Sequence, residues 1–89
     1  MHSGQPSSAC RVCGRIYEEP PWGADGKTAI FEICPCCGVE FGYEDSLPES
    51  VRRYRAIWLA GGANWFEPKL RPENWSLETQ LAQVAPQFA

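Results

Sequence analysis

The sequence contains little histidine, and this shortage excludes a class of function. His2 is the only histidine, so a triad of serine, histidine and aspartate cannot form in the body of the chain. No glycine-rich loop precedes a helical segment in the way that phosphate-binding loops do. We find no other catalytic constellation, and we therefore expect that the protein is not an enzyme.

Long apolar runs and a basic leader are also missing. No apolar run approaches the ~18 residues that a membrane-spanning helix needs. Residues 1–8 are small and polar and lack the positive and apolar regions of a secretion signal. We expect a disordered start followed by a cytoplasmic domain, with no membrane partner.

Positive charge is scarce. Eight lysines and arginines stand against eleven acidic residues, which gives a formal net charge of −3. Residues 1–45 carry three basic and seven acidic groups (3 − 7 = −4), whereas residues 46–89 carry five and four (5 − 4 = +1). Such a molecule has no general attraction for nucleic acid or for an anionic membrane.

Cysteine is abundant and is regularly placed. Two Cys-x-x-Cys-Gly motifs begin at Cys10 and Cys34, and 20 residues separate Cys13 from Cys34. Two such motifs supply the four thiolates of a tetrahedral Zn²⁺ site. The ligands predicted for this site are Cys10, Cys13, Cys34 and Cys37. Four protein ligands leave no position for water, so one structural zinc ion is expected rather than a catalytic one.

Iron is the alternative metal, because similar Cys-x-x-Cys-Gly turns, called knuckles, hold the single iron of rubredoxins. The fifth cysteine, Cys36, occupies a middle position of the second motif. It is either a bystander packed in the turn or a replacement ligand with a reactive thiol. Five is also an odd number for a disulfide framework, which favours a metal protein of a reducing compartment.

The pattern of the remaining residues predicts a small α+β domain that a bound metal ion stabilises. Residues 15–18, 28–33 and 39–43 are typical of short strands, so we expect a three-stranded antiparallel sheet of zinc-ribbon or rubredoxin-like type within residues 9–45. Ser46 and Glu49 indicate a capping box for a helix that ends at Gly61. Ser76 is suited to cap a second helix over 77–85. Residues 46–89 are expected to form a helical tail packed on the ribbon.

The run from Phe31 to Asp45, with its central Cys-Pro-Cys-Cys-Gly, resembles the cysteine-rich CPCC-type zinc-ribbon proteins of bacteria. The resemblance covers about residues 9–66 and includes Tyr17, Pro20 and a helix with Tyr-Arg and Trp. It implies the same four cysteine ligands. Most proteins of this type have no assigned activity, and some are similar to small immunity or accessory proteins encoded beside toxins.

Aromatic residues concentrate in the tail and suggest where a partner would bind. They either complete the core of a small ribbon or anchor a protein interface. The partner-binding candidates are Trp58, Trp65, Phe66, Trp75 and Arg55. We expect a protein-binding module, such as an immunity or adaptor protein. The alternatives are a nucleic-acid-binding zinc ribbon, favoured by the mildly basic aromatic tail, and a rubredoxin-like iron electron carrier.

Overall fold

The computed structural model describes residues 7–89, so His2 and most of the predicted disordered start lie outside the described part. Helix α1 spans Pro48–Ala60 and helix α2 spans Leu77–Leu81. Two single 3₁₀ turns, Pro68–Leu70 and Pro86–Phe88, follow the two helices. The remaining described residues form turns and irregular loops. No helix within 7–89 is long and apolar enough to cross a bilayer.

The cysteine-bearing half is built from two equivalent knuckles, residues 8–17 and 32–41, related by a shift of 32 − 8 = 24 positions. In each knuckle, three backbone hydrogen bonds close the turn around the two cysteines. The first amide of each knuckle donates across the turn, Cys10 N to Arg15 O and Cys34 N to Val39 O, both at 2.8 Å. The glycine amides donate back to the first cysteine, Gly14 N to Cys10 O and Gly38 N to Cys34 O, both at 2.9 Å. The third pair closes the base of each knuckle, with Tyr17 N to Ser8 O at 2.9 Å and Phe41 N to Glu32 O at 3.0 Å. The cysteine motif is therefore a structural repeat and more than a sequence pattern.

The predicted three-stranded antiparallel sheet is wrong for residues 7–89. Pairing between extended segments is limited to two isolated antiparallel bridges, Ala9 with Ile16 and Ile33 with Glu40, one inside each knuckle. The segments expected to be strands bond within their own knuckle or to nearby turns, so no ladder extends from one to the next.

Two local interruptions explain the missing sheet. Phe31 has φ +59°, a left-handed conformation that breaks the extended run over 28–33. Residues 41–45 form turns in which Gly42 has φ +102°. The β-branched and aromatic residues that favoured strands therefore serve as short extended pieces and as turn residues.

Helix α1 ends as predicted but begins differently. Leu47 occupies the N-cap without a side-chain cap, and the Ser46 hydroxyl donates to the carbonyl of Gly42 at 3.2 Å, so the expected capping box does not form. The helix ends at Gly61, and Gly62 follows with φ +106°. Val51 and Trp58 are buried, whereas Ile57 is exposed.

Helix α2 is shorter than predicted because it ends at Leu81 instead of continuing to residue 85. Its predicted cap is confirmed, since the Ser76 hydroxyl accepts a hydrogen bond from the Thr79 amide. Beyond the helix, Val84 remains buried. The short helix therefore directs Gln80 and Val84 toward the first knuckle, where both approach Gly14.

The core is centred on the cysteines and is covered by the tail. Tyr17 and Phe41, which are equivalent residues of the two knuckles, meet edge to face with centroids 5.4 Å apart. The amides of Phe66 and Glu67 donate to the carbonyls of Cys36 and Pro35 at 3.0 and 2.9 Å. This segment holds the tip of the second knuckle.

Candidate metal centre

The structure brings Cys10, Cys13, Cys34 and Cys37 together in one buried cluster. Their four Sγ atoms all lie within 4.8 Å of one another. The Cys10–Cys37 and Cys13–Cys34 Sγ pairs are each 3.7 Å apart. A regular tetrahedron with Zn–S bonds of 2.3 Å has edges of about 3.8 Å between sulfur atoms. Two pairs of sulfurs match this edge, and the four thiols together could hold one metal ion.

The sulfur spacing also excludes disulfides within the cluster. A disulfide needs an S–S distance of about 2.05 Å, and the two close pairs are far longer. All five cysteines are free and buried. The cluster could hold a metal ion, and a tetrahedral set of four thiolates suits zinc and iron alike.

Each knuckle places its cysteines because a glycine follows the second one. Gly14 and Gly38 have φ +87° and +83°, in the left-handed region that favours glycine. A Cβ on Gly14 would overlap the backbone carbonyl oxygen of Gln80. A Cβ on Gly38 would lie 3.3 Å from Cδ1 of Phe66. The tail therefore approaches both turns closely.

Hydrogen bonds among the clustered thiols shift their pKa values in opposite directions. Hydrogen bonding from the thiols of Cys10 and Cys13 holds the pKa of Cys34 below its ordinary value. Hydrogen bonding with Cys10 raises the pKa of Cys13 and of Cys37. Four sulfurs this close cannot all be ionised without a compensating charge, and a bound divalent ion would favour four thiolates.

Cys36 lies outside the four-sulfur cluster, although its side chain is fully buried. Its Sγ accepts a hydrogen bond from Nε2 of Gln80 at 3.2 Å. The same amide nitrogen donates to the carbonyl of Cys13 at 3.2 Å. The packed-bystander interpretation of Cys36 agrees with this position.

Gln80 is the residue of the site that sequence reasoning missed. Trp75 Nε1, which can only donate, donates to Gln80 Oε1 at 2.8 Å and so fixes the orientation of the amide. Gln80 therefore links helix α2 to both knuckles. The signal was a polar residue on the same helical face as Leu77, Leu81 and Val84, where an apolar residue is the usual choice.

Arg55 fastens helix α1 to the first knuckle. Its guanidinium donates to the carbonyls of Val12 at 2.6 Å, Arg11 at 2.9 Å and Phe88 at 2.6 Å. Burial lowers the pKa of Arg55, and the neighbouring Cys10 acts in the opposite direction. The side chain thus places a positive charge beside the cysteine cluster.

The aromatic candidates for partner binding occupy different environments. Trp58 and Trp65 are buried, and Trp75 is half-buried with its ring edge to face against Trp65 at 5.6 Å. Phe66 alone among these four aromatics is exposed. Their contact with a partner, like that of Arg55, stays a prediction.

Comparisons with known proteins identify similar chains but no function. No protein-family model matches the chain, and no solved structure matches it. It is 28% identical to uncharacterized protein YoaQ of Bacillus subtilis, in a match covering 73% of this chain and 68% of that protein. It is also 28% identical to uncharacterized protein YozI of the same bacterium, covering 72% and 66%. The chain thus spans about two thirds of these relatives, and the zinc-ribbon family is not confirmed.

Proposed function

We propose that this chain is a small zinc-binding protein whose metal is structural and whose surface binds another protein. The observation that carries the metal assignment is the buried set of four sulfurs, all within 4.8 Å of one another, in which two pairs are 3.7 Å apart. Such a set fills the coordination shell of Zn²⁺ with protein ligands. The metal would then fasten the two knuckles and take no part in chemistry.

Metal analysis tests the first half of this proposal. The chain is produced without added metal and purified without oxygen, and its metal content and absorption spectrum are measured. We expect one zinc per chain and a colourless solution. A coloured protein with one iron per chain would instead support the rubredoxin-like electron carrier, and a protein without metal would contradict both.

A binding module is favoured over an enzyme by the character of the site. A closed four-thiolate site offers no open position for water or substrate. The described residues 7–89 contain no histidine. Trp58 and Trp65 are buried in the same cluster as the cysteines, and Arg55 donates to the first knuckle, whereas apolar side chains such as Phe66 remain exposed. An immunity or adaptor protein, acting in the reducing cytoplasm, is one form of such a module.

Affinity capture with matched variants tests the second half. The zinc-loaded chain, Phe66→Ala and the control Leu70→Ala are used as baits, because both side chains are exposed and neighbouring. We expect a protein that is retained by the native chain and the control but lost with Phe66→Ala. Equal retention of the protein by all three baits would show that the interface lies outside the tail. Retention of no protein by the native chain would contradict the module.

A gel shift with DNA and RNA at low salt tests the nucleic-acid alternative. The formal net charge of −3 predicts no shift. A salt-sensitive shift would replace the protein-binding proposal with a nucleic-acid-binding one.

A further inference from the structure

An open groove of about 400 Å³ lies on the acidic half, and Tyr17 forms part of its lining. Ile16 and Ile30 form its apolar lining, with exposed fractions of 54% and 38%. Phe31 follows Ile30 in the chain, and its ring packs edge to face on Tyr43 with the centroids 5.8 Å apart. These two rings are 58% and 61% exposed. Several exposed apolar side chains in one part of a surface are typical of an interaction site.

The backbone beside the groove has unused hydrogen-bonding groups. Ile16 stands opposite Ala9 in an isolated bridge whose bonds are made by the flanking residues. Within residues 7–89, the amide and carbonyl of Ile16 make no backbone hydrogen bond. They are available to an extended chain laid along this edge, which is how many domains bind peptides.

The rim of the groove is acidic. Glu18, Glu19 and Glu32 line it and are exposed. Arg15 is the single cation in the lining, and its guanidinium lies over the Tyr17 ring at 4.7 Å from the centroid. The lining therefore carries 1 − 3 = −2. Four thiolates around a divalent ion would add −4 + 2 = −2 to the same half of the molecule.

We propose that this acidic groove, defined by Ile16, Ile30, Glu18, Glu19 and Glu32, binds an extended basic segment of another protein. The segment alternates aliphatic residues with lysine or arginine. Alternate side chains of an extended chain point the same way, so the aliphatic ones enter the groove together, while the long side chains of lysine or arginine reach back to the glutamates on its rim. This inference rests on the proposed protein-binding function and adds a second surface, separate from Phe66 of the tail, together with the chemistry of the segment that would bind there.

Charge complementarity favours a basic protein segment over the other candidate occupants of the groove. A second copy of the chain that met this one groove to groove would bring the same acidic rim and would be repelled. Nucleic acid and anionic membranes are repelled for the same reason. A basic segment gains both long-range attraction and burial of the exposed isoleucines.

The test uses a fluorescent 12-residue peptide of alternating lysine and valine and the zinc-loaded full chain. We expect saturable binding that weakens at least tenfold between 50 and 500 mM salt, in the direction that screening requires. The same peptide with glutamate in place of lysine should not bind. Absence of saturable binding up to about 1 mM peptide, or equal binding of both peptides, would overturn the proposal.

Two glutamine triple variants locate the binding. Glu18→Gln with Glu19→Gln and Glu32→Gln removes the rim charge, whereas Glu49→Gln with Glu73→Gln and Glu78→Gln removes three exposed charges elsewhere. We expect at least a tenfold loss of affinity for the first set and less than threefold for the second. Equal losses of affinity in the two variants would indicate general attraction to the negative charge of the protein, and would overturn the proposal that the peptide binds in the groove.

Two further measurements separate the sources of failure. Spermine tests whether any polycation suffices, and binding as tight as that of the peptide would overturn recognition of a protein segment. Failure of the lysine peptide to bind, in a chain that still captures a protein through Phe66, would overturn the groove while leaving the proposed function intact.

Discussion

At the scale of single residues, Gln80 decides how the tail meets the cysteines. Its amide accepts from Trp75 and donates to both the Cys13 carbonyl and the Cys36 sulfur. All three groups are wholly or partly withdrawn from water, so the amide satisfies polar atoms that would otherwise be unpaired. One buried amide thereby couples helix α2 to both knuckles.

Replacing Gln80 with leucine should destabilise the metal-loaded protein by about 2–3 kcal/mol, because Trp75 Nε1 and the Cys13 carbonyl lose their partners. Gln83→Leu is the matched control, since Gln83 is exposed on the following turn. Urea unfolding followed by tryptophan fluorescence measures both. A difference from the control of less than about 0.5 kcal/mol would contradict this role for Gln80.

Cys36 and Cys37 are adjacent in sequence but differ in position. Cys37 belongs to the four-sulfur cluster, whereas Cys36 faces Gln80. Cys36→Ser should therefore retain one metal ion per chain, and Cys37→Ser should lose it or bind it far more weakly. Metal content after gel filtration distinguishes the two. Loss of metal from Cys36→Ser would show that the ligand set contains Cys36.

At the scale of elements, the two knuckles share a backbone conformation but not their surroundings. Gly14 lies against the backbone of helix α2, whereas Gly38 lies against the side chain of Phe66. A backbone carbonyl in a helix cannot move without moving the helix, while an exposed phenyl ring can rotate away. Gly14 and Gly38 occupy equivalent positions in the two knuckles, but Gly14 should tolerate substitution less well than Gly38.

Gly38→Ala should cost about 1–2 kcal/mol, which is the strain of alanine in a left-handed conformation. Gly14→Ala carries the same strain and in addition displaces helix α2, so its cost should exceed that of Gly38→Ala by at least about 1 kcal/mol. Unfolding free energies of the metal-loaded variants, with hydrogen exchange of residues 77–81, provide the measurement. Equal costs would mean that helix α2 does not pack on Gly14.

At the scale of the whole molecule, the candidate metal site and the hydrophobic core coincide. The buried cluster contains all five cysteines together with Val12, Phe41, Val51, Trp58 and Trp65. A chain of 89 residues buries a modest core. Since residues 7–89 contain no sheet that could hold the two knuckles together, metal binding would supply much of the free energy of folding.

Removing the metal with a strong chelator should unfold the cysteine-bearing half and release the tail. We expect loss of helical circular dichroism at 222 nm and a red shift of tryptophan emission, because Trp58 and Trp65 would become exposed to water. Restoring one equivalent of Zn²⁺ should reverse both changes. Native signals in a protein verified to be metal-free would show that the core folds without the ion.

The sequence alone determined the features that depend on neighbours along the chain. The Cys-x-x-Cys-Gly turns, the end of α1 at Gly61 and the Ser76 cap each involve residues within a few positions, and each forms as predicted. Local spacing fixes such geometry because the chain cannot separate these residues.

Tertiary structure decided the rest, because the deciding contacts join distant residues. The predicted sheet failed where the short segments bonded inside their own knuckles and Phe31 interrupted the run. Gln80 reaches Cys13 across 67 positions and Arg55 reaches Val12 across 43. Neither pairing follows from a periodic pattern or from the spacing of a known motif. Only the folded chain therefore shows which buried donor meets which acceptor.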